Sequence, residues 1–178
     1  MRVITGSARG MTLRTLEGDN TRPTGEKVKE AVFSAIQFEL EGRRILDLFA
    51  GSGQLGIEAL SRGAESCVFI DSDKSAVKII KENLEKTKLA FKSTVAQTDS
   101  LAYLGMTDKV FDIAFLDPPY STGLLQKALA KIAPKIAEGG AVICEHPYGE
   151  EMPEEEGGLL KAKEYKYSKT AVTVYRKG

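Results

Sequence analysis

Four aspartates stand at or just beyond the ends of successive strand-like segments of the sequence. They are Asp47, Asp71, Asp99 and Asp117, and the segment before Asp99 is the least apolar of the four. In open α/β sheets, ligands bind outside the carboxyl ends of the strands. One such carboxylate could be a helix cap, but four in equivalent positions are better explained by one shared site.

Asp117-Pro118-Pro119-Tyr120 is the most specific of these strand ends. The two prolines fix φ and hold the backbone extended, so that its carbonyls are available as acceptors. A purine's exocyclic amine is a poor nucleophile, because its lone pair is delocalised into the ring. Acceptors at Asp117 and the Pro118 carbonyl would localise that lone pair, while Tyr120 would stack on the base. The alternative is a turn in which the prolines are only structural.

A glycine-rich turn follows the strand that ends at Asp47. Residues 51–56, Gly-Ser-Gly-Gln-Leu-Gly, match G-x-G-x-x-G, and Asp71 lies twenty residues after Gly51. A strand, a glycine turn and a helix N-terminus predict a nucleotide cofactor, and this spacing also fits a dinucleotide. Asp47 favours a cationic ligand, such as the amino end or sulfonium of S-adenosylmethionine, because it would repel a pyrophosphate.

Alternating strands and helices are needed to bring these residues together. Apolar periodicity predicts strands at 45–49, 67–70, 93–96, 111–116 and 141–144, and helices at 25–40, 54–62, 75–84 and 124–136, the last kinked at Pro134. Two further β segments, 160–167 and 171–175, predict an antiparallel pair. We therefore expect an α/β fold with a mostly parallel, seven-stranded, doubly wound sheet and helices on both faces.

The first 23 residues differ from this alternation. Residues 1–5 and 11–15 resemble two short strands around a loop, which predicts a short, basic N-terminal β-hairpin followed by a loop extension. No linker or repeat separates a second domain. We interpret 1–178 as a single domain.

The composition restricts the class of protein. Lys and Arg number 25, as do Asp and Glu, so the formal net charge of zero gives no global case for nucleic-acid binding. Both ends are basic, and we interpret the acidic run at 150–156 as a solvated loop. Cys67 and Cys144, without a C-x-x-C partner, are expected to be buried free thiols. No apolar run approaches the roughly 20 residues of a membrane span, which favours a cytoplasmic protein.

These motifs resemble class I S-adenosylmethionine-dependent methyltransferases that act on amino groups. The resemblance rests on residues 47–64 and on Asp117-Pro118-Pro119-Tyr120. Two N-terminal stretches narrow it, Arg-Val-Ile-x-Gly-x-x-Arg-Gly at 2–10 and Thr-Arg-Pro-Thr-x-x-x-Val-Lys-Glu-Ala-Val-Phe at 21–33. They are similar to the bacterial 16S rRNA guanine-N2 methyltransferases of the RsmD type, which methylate guanine 966. Where this chain has Lys29, many members have arginine.

The resemblance implies roles for particular residues of this chain. The cofactor S-adenosylmethionine would be bound by Asp47, Phe49, Ala50, Gly51, Ser52, Gly53, Asp71, Ser72, Asp99 and Ser100. The flipped guanine would be held by the catalytic residues Asp117, Pro118, Pro119 and Tyr120. RNA phosphates would contact Arg2, Arg9, Arg14 and Arg22. No metal is expected, since transfer from a sulfonium depends on positioning.

The resemblance also implies a partner, and the residues leave alternatives open. The partner would be 16S rRNA, within an assembled or partly assembled small ribosomal subunit, and the chain a monomer. A DNA adenine-N6 methyltransferase would use the same chemistry but usually carries a target-recognition domain. An NAD-dependent oxidoreductase would leave Asp117-Pro118-Pro119-Tyr120 unexplained. A non-catalytic RNA-binding assembly factor would have no reason to keep the four aspartates.

The single histidine, His146, is expected to lie in a loop without a catalytic role.

Overall fold

The computed structural model describes residues 1–16 and 25–178, and in these ranges the strands form one mixed sheet of eight. The strands are β1 Arg44–Asp47, β2 Ser66–Asp71, β3 Ser93–Gln97, β4 Phe111–Leu116, β5 Ile136–Pro147, β6 Glu155–Glu156, β7 Leu159–Tyr167 and β8 Thr170–Lys177. Their order is β3-β2-β1-β4-β5-β8-β7-β6. The pairs from β3 to β5 are parallel, and β8, β7 and β6 are added antiparallel. The doubly wound α/β prediction is confirmed.

The prediction of seven strands was wrong by one, because part of the acidic run is a strand. Glu155 and Glu156 pair with Leu160 and Leu159 of β7. The N–H of Gly158 donates to Oε1 of Glu155 at 2.9 Å and closes the turn between the two strands. Two glutamates have no apolar pattern, so their strand conformation depends on β7 and is not visible in their own sequence.

In the described ranges, five α-helices cover the two faces of the sheet. They are α1 Glu26–Ala35, α2 Gln54–Ser61, α3 Lys74–Thr87, α4 Ser100–Met106 and α5 Leu124–Ile132. The first helix ends at Ala35 rather than near residue 40. The expected kink at Pro134 is a separate 3₁₀ turn, Ala133–Lys135. The sequence does not predict α4, which has only seven residues.

Two apolar cores lie on opposite faces of the sheet, as a doubly wound fold requires. Helices α1, α2 and α3 pack on one face, where Ile45 of β1 is buried. Helices α4 and α5 pack on the other face, against Leu46. Because neighbouring residues of a strand point to opposite faces, each central strand contributes to both cores. The apolar sides of these helices therefore do not cover the carboxyl ends of β1 to β4.

The N-terminal residues 1–16, here called the N-terminal segment, fold back on themselves as predicted but form less regular structure. An isolated antiparallel bridge joins Arg2 and Thr12. The N–H of Val3 donates to the carbonyl of Met11 at 2.9 Å. The two arms thus make a hairpin joined by backbone hydrogen bonds around one bridge, without two regular strands.

Side chains of α2 fasten the N-terminal segment to the domain. The carboxylate of Glu58 accepts hydrogen bonds from the N–H groups of Ile4 and Thr5 at 2.8 and 3.0 Å. Ser61 Oγ accepts from the N–H of Ala8 at 2.9 Å and donates to the carbonyl of Thr5 at 2.7 Å. The segment therefore depends on two polar residues of a buried helix.

Glu58 also balances two cations. Lys29 Nζ lies 3.1 Å from Glu58 Oε1, and both side chains are fully buried. Arg62 Nε lies 2.9 Å from Glu58 Oε2. Burial lowers the pKa of Lys29, against the opposing charge of Glu58. Burial by itself would raise the pKa of Glu58, but the Ile4 N–H and the Lys29 charge outweigh it and lower that pKa.

His146 lies in a strand, and the loop expected for it was wrong. Pairing with β8 extends β5 to Pro147, beyond the predicted end at residue 144. The ring is buried, with Nε2 2.7 Å from Thr173 Oγ1 and Nδ1 3.0 Å from the Pro147 carbonyl. Because that carbonyl can only accept, Nδ1 donates to it, and the Thr173 hydroxyl satisfies Nε2.

Two further expectations concern the cysteines and the lengths of the helices. Cys67 and Cys144 are buried and free, as predicted, and burial raises the pKa of each thiol. Within residues 1–16 and 25–178, no helix is both long and apolar enough to cross a bilayer. The single-domain interpretation of 1–178 stays a prediction.

Candidate cofactor and substrate site

A cavity of about 530 Å³ opens at the carboxyl ends of the parallel strands. Its volume is in the range of small-molecule and cofactor sites. The four aspartates all line it, as do the glycine turn and the prolines after β4. Of the residues predicted to bind cofactor or guanine, the cavity is lined by Asp47, Phe49, Ala50, Gly51, Ser52, Asp71, Ser72, Asp99, Ser100, Asp117, Pro118, Pro119 and Tyr120.

Gly53 is the predicted cofactor residue that the cavity lining lacks. It has φ +82° and directly precedes α2, a conformation that side chains other than glycine rarely adopt. A Cβ there would lie 3.3 Å from Ile80 and 3.4 Å from Phe69, so the residue packs against the core. Gly53 shapes the turn, and its predicted contact with a cofactor stays a prediction.

The third glycine of the motif permits α2 to pack closely on β2. A Cβ on Gly56 would lie 2.3 Å from Phe69 Cε1 and 2.7 Å from Cys67 Sγ, closer than atoms approach. Its N–H donates to Oδ2 of Asp47 at 3.0 Å. This contact fixes the buried carboxylate of β1 against the first turn of α2, beside the cavity.

Asp47 has an unusual protonation equilibrium. Its side chain is buried, with 2 % of the residue exposed. Burial raises the pKa of Asp47 to about 7, the charge of Asp71 adds to that rise, and the Gly56 N–H opposes it. A carboxyl that is half protonated at neutral pH responds strongly to a nearby charge. A cation in the cavity would stabilise the ionised form.

Asp71 and Asp99 each hold backbone at the cavity edge. Asp71 Oδ2 accepts from the N–H of Gly51 at 2.8 Å, which joins the end of β2 to the glycine turn. Asp99 caps α4 by accepting from the N–H of Ala102 at 2.9 Å. Ser100 Oγ donates to the carbonyl of Leu48 at 2.8 Å. These bonds use part of each group's capacity, and carboxylate oxygens accept more than one bond.

The sequence gives little sign of two further features of the site. Thr15 and Leu16, at the end of the N-terminal segment, line the cavity. Asn83 of α3 joins this segment to the glycine turn: Nδ2 donates to the carbonyls of Arg14 and Ser52, both at 2.9 Å, and Oδ1 accepts from the N–H of Arg14 at 2.9 Å. The available signal was a polar residue on the apolar face of a helix.

The loop after β4 is restrained by one hydrogen bond to β8 and one within the loop. Tyr120 Oη lies 3.1 Å from Thr170 Oγ1 at the start of β8. Thr122 Oγ1 donates to the carbonyl of Pro119 at 2.9 Å. These bonds hold the Tyr120 ring at the edge of the cavity, where a flat ligand could stack on it.

The predicted RNA contacts lie on the N-terminal segment. Arg2, Arg9 and Arg14 are exposed, and none of them lines the cavity. Arg2 pairs with Glu26 at 3.8 Å and Arg14 with Glu82 at 2.6 Å. Arg22 lies outside the described residues. Contact of these arginines with RNA stays a prediction.

Comparison with known proteins decides the family. The family described as "Conserved hypothetical protein 95" matches residues 1–176. The chain belongs to this family. The resemblance to methyltransferases of the RsmD type is confirmed by its relatives: the "Ribosomal RNA small subunit methyltransferase D" of Haemophilus influenzae is 38% identical and covers 73% of this chain and 69% of that protein.

Family members of nearly equal length extend the similarity over the whole chain. YlbH of Bacillus subtilis is 42% identical over 99% of both proteins. The solved structure of yhhF from Escherichia coli has a TM-score of 0.89 at 28% identity, covering 99% of this chain and 97% of that chain. The similarity in sequence and in fold therefore extends over nearly all of this chain.

Proposed function

We propose that this protein transfers a methyl group from S-adenosylmethionine to the exocyclic N2 amine of a guanine in the 16S RNA of the small ribosomal subunit. The observation that carries the proposal is one cavity lined by the glycine turn, the four aspartates and Asp117-Pro118-Pro119-Tyr120. Relatives named as small-subunit rRNA methyltransferases support the choice of RNA.

The residues of the cavity fit S-adenosylmethionine. Oε1 of Gln54 is the buried side-chain oxygen that finds no hydrogen-bond partner within the described ranges, and Gln54 lines the cavity. An orphaned acceptor of this kind calls for a donor from a ligand, because leaving it unsatisfied has a free-energy cost. The cofactor carries an ammonium group and ribose hydroxyls as donors. Asp47 would face its positive charge and Asp71 its hydroxyls.

The remaining residues would act on the guanine. When bound, S-adenosylmethionine supplies an electrophilic methyl group on a sulfonium. Asp117 and the Pro118 carbonyl would accept hydrogen bonds from the two N–H groups of the amine, so that the nitrogen lone pair is directed at the methyl group. The nitrogen would lose one of its two protons as its bond to the methyl carbon replaces the carbon–sulfur bond. The Tyr120 ring, held by Thr170, would stack on the flipped base. Flipping costs a few kcal/mol, which contacts with the surrounding RNA must offset.

Methyl transfer to small subunits tests the proposal. Labelled S-adenosylmethionine is supplied with subunits from a strain that lacks the activity, and wild type is compared with Asp117→Ala. We expect label in 16S RNA as N2-methylguanine, a loss of about 100-fold or more in rate for Asp117→Ala, and cofactor binding within a few-fold of wild type. Asp108→Ala, an exposed aspartate just before β4 at the opposite edge of the sheet, is the matched control.

Two results would contradict this function. Cofactor binding without label in the subunit would direct attention to another RNA or to adenine in DNA as substrate. Full activity of Asp117→Ala would show that its carboxylate does not act on the amine.

A further inference from the structure

Strands β7 and β8, called here the C-terminal hairpin, carry positive charge that is only partly paired within the described residues. Several of its cations are engaged: Lys161 pairs with Glu154 at 3.1 Å, and Arg176 pairs with Glu39. Lys166 and Lys169 are exposed, and within residues 1–16 and 25–178 neither forms an ion pair. Two lysines are therefore available to an anionic partner.

An exposed aromatic ring lies beside this part of the hairpin. Tyr148, directly after β5, is 56% exposed. Lys166 Nζ lies over its ring, 5.5 Å from the centroid. The N–H of Tyr148 donates to the carbonyl of Lys169 at 2.9 Å. We call Tyr148, Lys166 and Lys169 the hairpin patch.

The hairpin patch borders the substrate end of the cavity. Thr170, the residue after Lys169, holds the hydroxyl of Tyr120 and pairs with Pro147, the residue before Tyr148. The patch and the base-stacking position are thus joined through one threonine. A strand whose base lies on Tyr120 would continue over this surface, whereas the predicted arginines lie on the N-terminal segment.

We propose that the hairpin patch binds the single-stranded RNA next to the target guanine, an inference that rests on the function proposed above. Tyr148 stacks on a flanking base, and Lys166 and Lys169 contact the phosphates beside it. An aromatic face with cations at its edge is the usual composition of a single-strand site, because every base has a face that stacks and every nucleotide has a phosphate. The two lysines outweigh Glu150, which lies on the same turn.

An acidic protein segment is the other anion such a surface could take. The patch fits it less well, since an exposed stacking ring contributes nothing to carboxylates and the neighbouring site accepts a base. RNA is therefore the partner we assign.

Direct binding of RNA tests the inference without methyl transfer. A fluorescent single-stranded oligoribonucleotide containing guanine is titrated with the protein saturated with S-adenosylhomocysteine. We expect Lys166→Glu/Lys169→Glu and Tyr148→Ala each to weaken binding about tenfold, and the lysine pair to lower the slope of log affinity against log salt by about 1 to 2. Tyr148→Phe, which keeps the ring, should bind like wild type.

Lys163→Glu is the matched control. Lys163 is exposed and lies over an aromatic ring, 5.2 Å from the centroid of Tyr165, but it pairs with Val174, farther along the strand from the site. We expect the affinity of the Lys163→Glu variant for RNA to lie within about twofold of that of wild type.

The outcomes separate this inference from the proposed function. Four results would overturn the inference. The patch variants and Lys163→Glu could lose the same affinity for RNA, or neither could lose any. Wild type could fail to bind RNA, or could bind an acidic peptide in its place. If RNA binding depends on the patch but small subunits receive no methyl group, the proposed function fails and the RNA surface stands. If methyl transfer proceeds and the patch variants keep the wild-type KM for subunits, the proposed function stands and the RNA surface fails.

Discussion

At the scale of single residues, Asp47 links the cofactor site to pH. In the free protein its carboxyl has a pKa of about 7, against about 4 for an ordinary aspartate. The unfolded chain therefore releases this proton at lower pH than the folded protein does. The stability that the protonated form contributes is complete below about pH 4 and is lost as pH rises to about 7.

Asp47→Asn tests that equilibrium. We expect the affinity of wild type for S-adenosylmethionine to rise as pH increases from about 5.5 to about 7.5, because the cation binds the ionised carboxylate. In Asp47→Asn the rise should disappear and the affinity should be low throughout. Calorimetric titration at each pH measures both. A pH-dependent affinity that persists in the variant would assign the effect to another group.

At the scale of elements, the N-terminal segment and α3 complete a wall of the cavity. Asn83 is 1% exposed, and its amide bonds both Arg14 and the carbonyl of Ser52. The glycine turn is thus held from two sides, by Asp71 and by Asn83. A turn restrained in this way presents its N–H groups in a fixed direction.

Asn83→Ala should loosen that wall. We expect cofactor affinity to fall by up to about 30-fold, since two partly buried hydrogen bonds to backbone carbonyls are lost and about 1 kcal/mol is typical of each. Exchange of the Arg14 amide hydrogen, which is bonded to Asn83, should accelerate. Asn83→Asp, which keeps the acceptor for the Arg14 N–H but loses both donors, is the comparison variant. Unchanged exchange at Arg14 would contradict this role.

Removal of Glu58 should leave a buried charge without its partner. We expect Glu58→Ala to lower the free energy of unfolding by about 3–5 kcal/mol, because Lys29 is then buried unpaired. Urea unfolding measures the change, with the exposed Glu65→Ala as control. Lys29→Met combined with Glu58→Leu should recover much of the loss. A double variant as unstable as Glu58→Ala would mean that packing, not charge, is responsible.

At the scale of the whole molecule, the proposed function requires a protein without formal net charge to recognise a large RNA. Its basic stretches include the N-terminal segment and residues 161–178, and the formal net charge is zero. Long-range attraction to protein-free RNA is therefore weak. Recognition is better supplied by the shape of a particle in which the target strand is already displayed.

We accordingly expect partly assembled small subunits to be methylated at least about tenfold faster than protein-free 16S RNA at physiological salt. Single-turnover assays on the two substrates, at equal RNA concentration, measure the ratio. Equal rates would show that the protein reads RNA without help from ribosomal proteins. Sedimentation of the protein in the absence of RNA tests the prediction of a monomer.

The local features of the site were accessible from the sequence. The apolar run before Asp47, the glycines after it and the two prolines after Asp117 restrict the backbone within a few residues, so their conformation depends little on distant parts of the chain. Parallel strands share one edge, which is sufficient to bring the four aspartates together.

Other features were decided only by the tertiary structure. The strand at Glu155–Glu156 exists because β7 pairs with it, and β5 extends past His146 because β8 does. Asn83 and Glu58 owe their roles to backbone groups more than 50 residues away in the sequence. The sequence around a polar side chain does not show which distant group it will bond. Only the packed fold determines which backbone groups need a hydrogen bond from it.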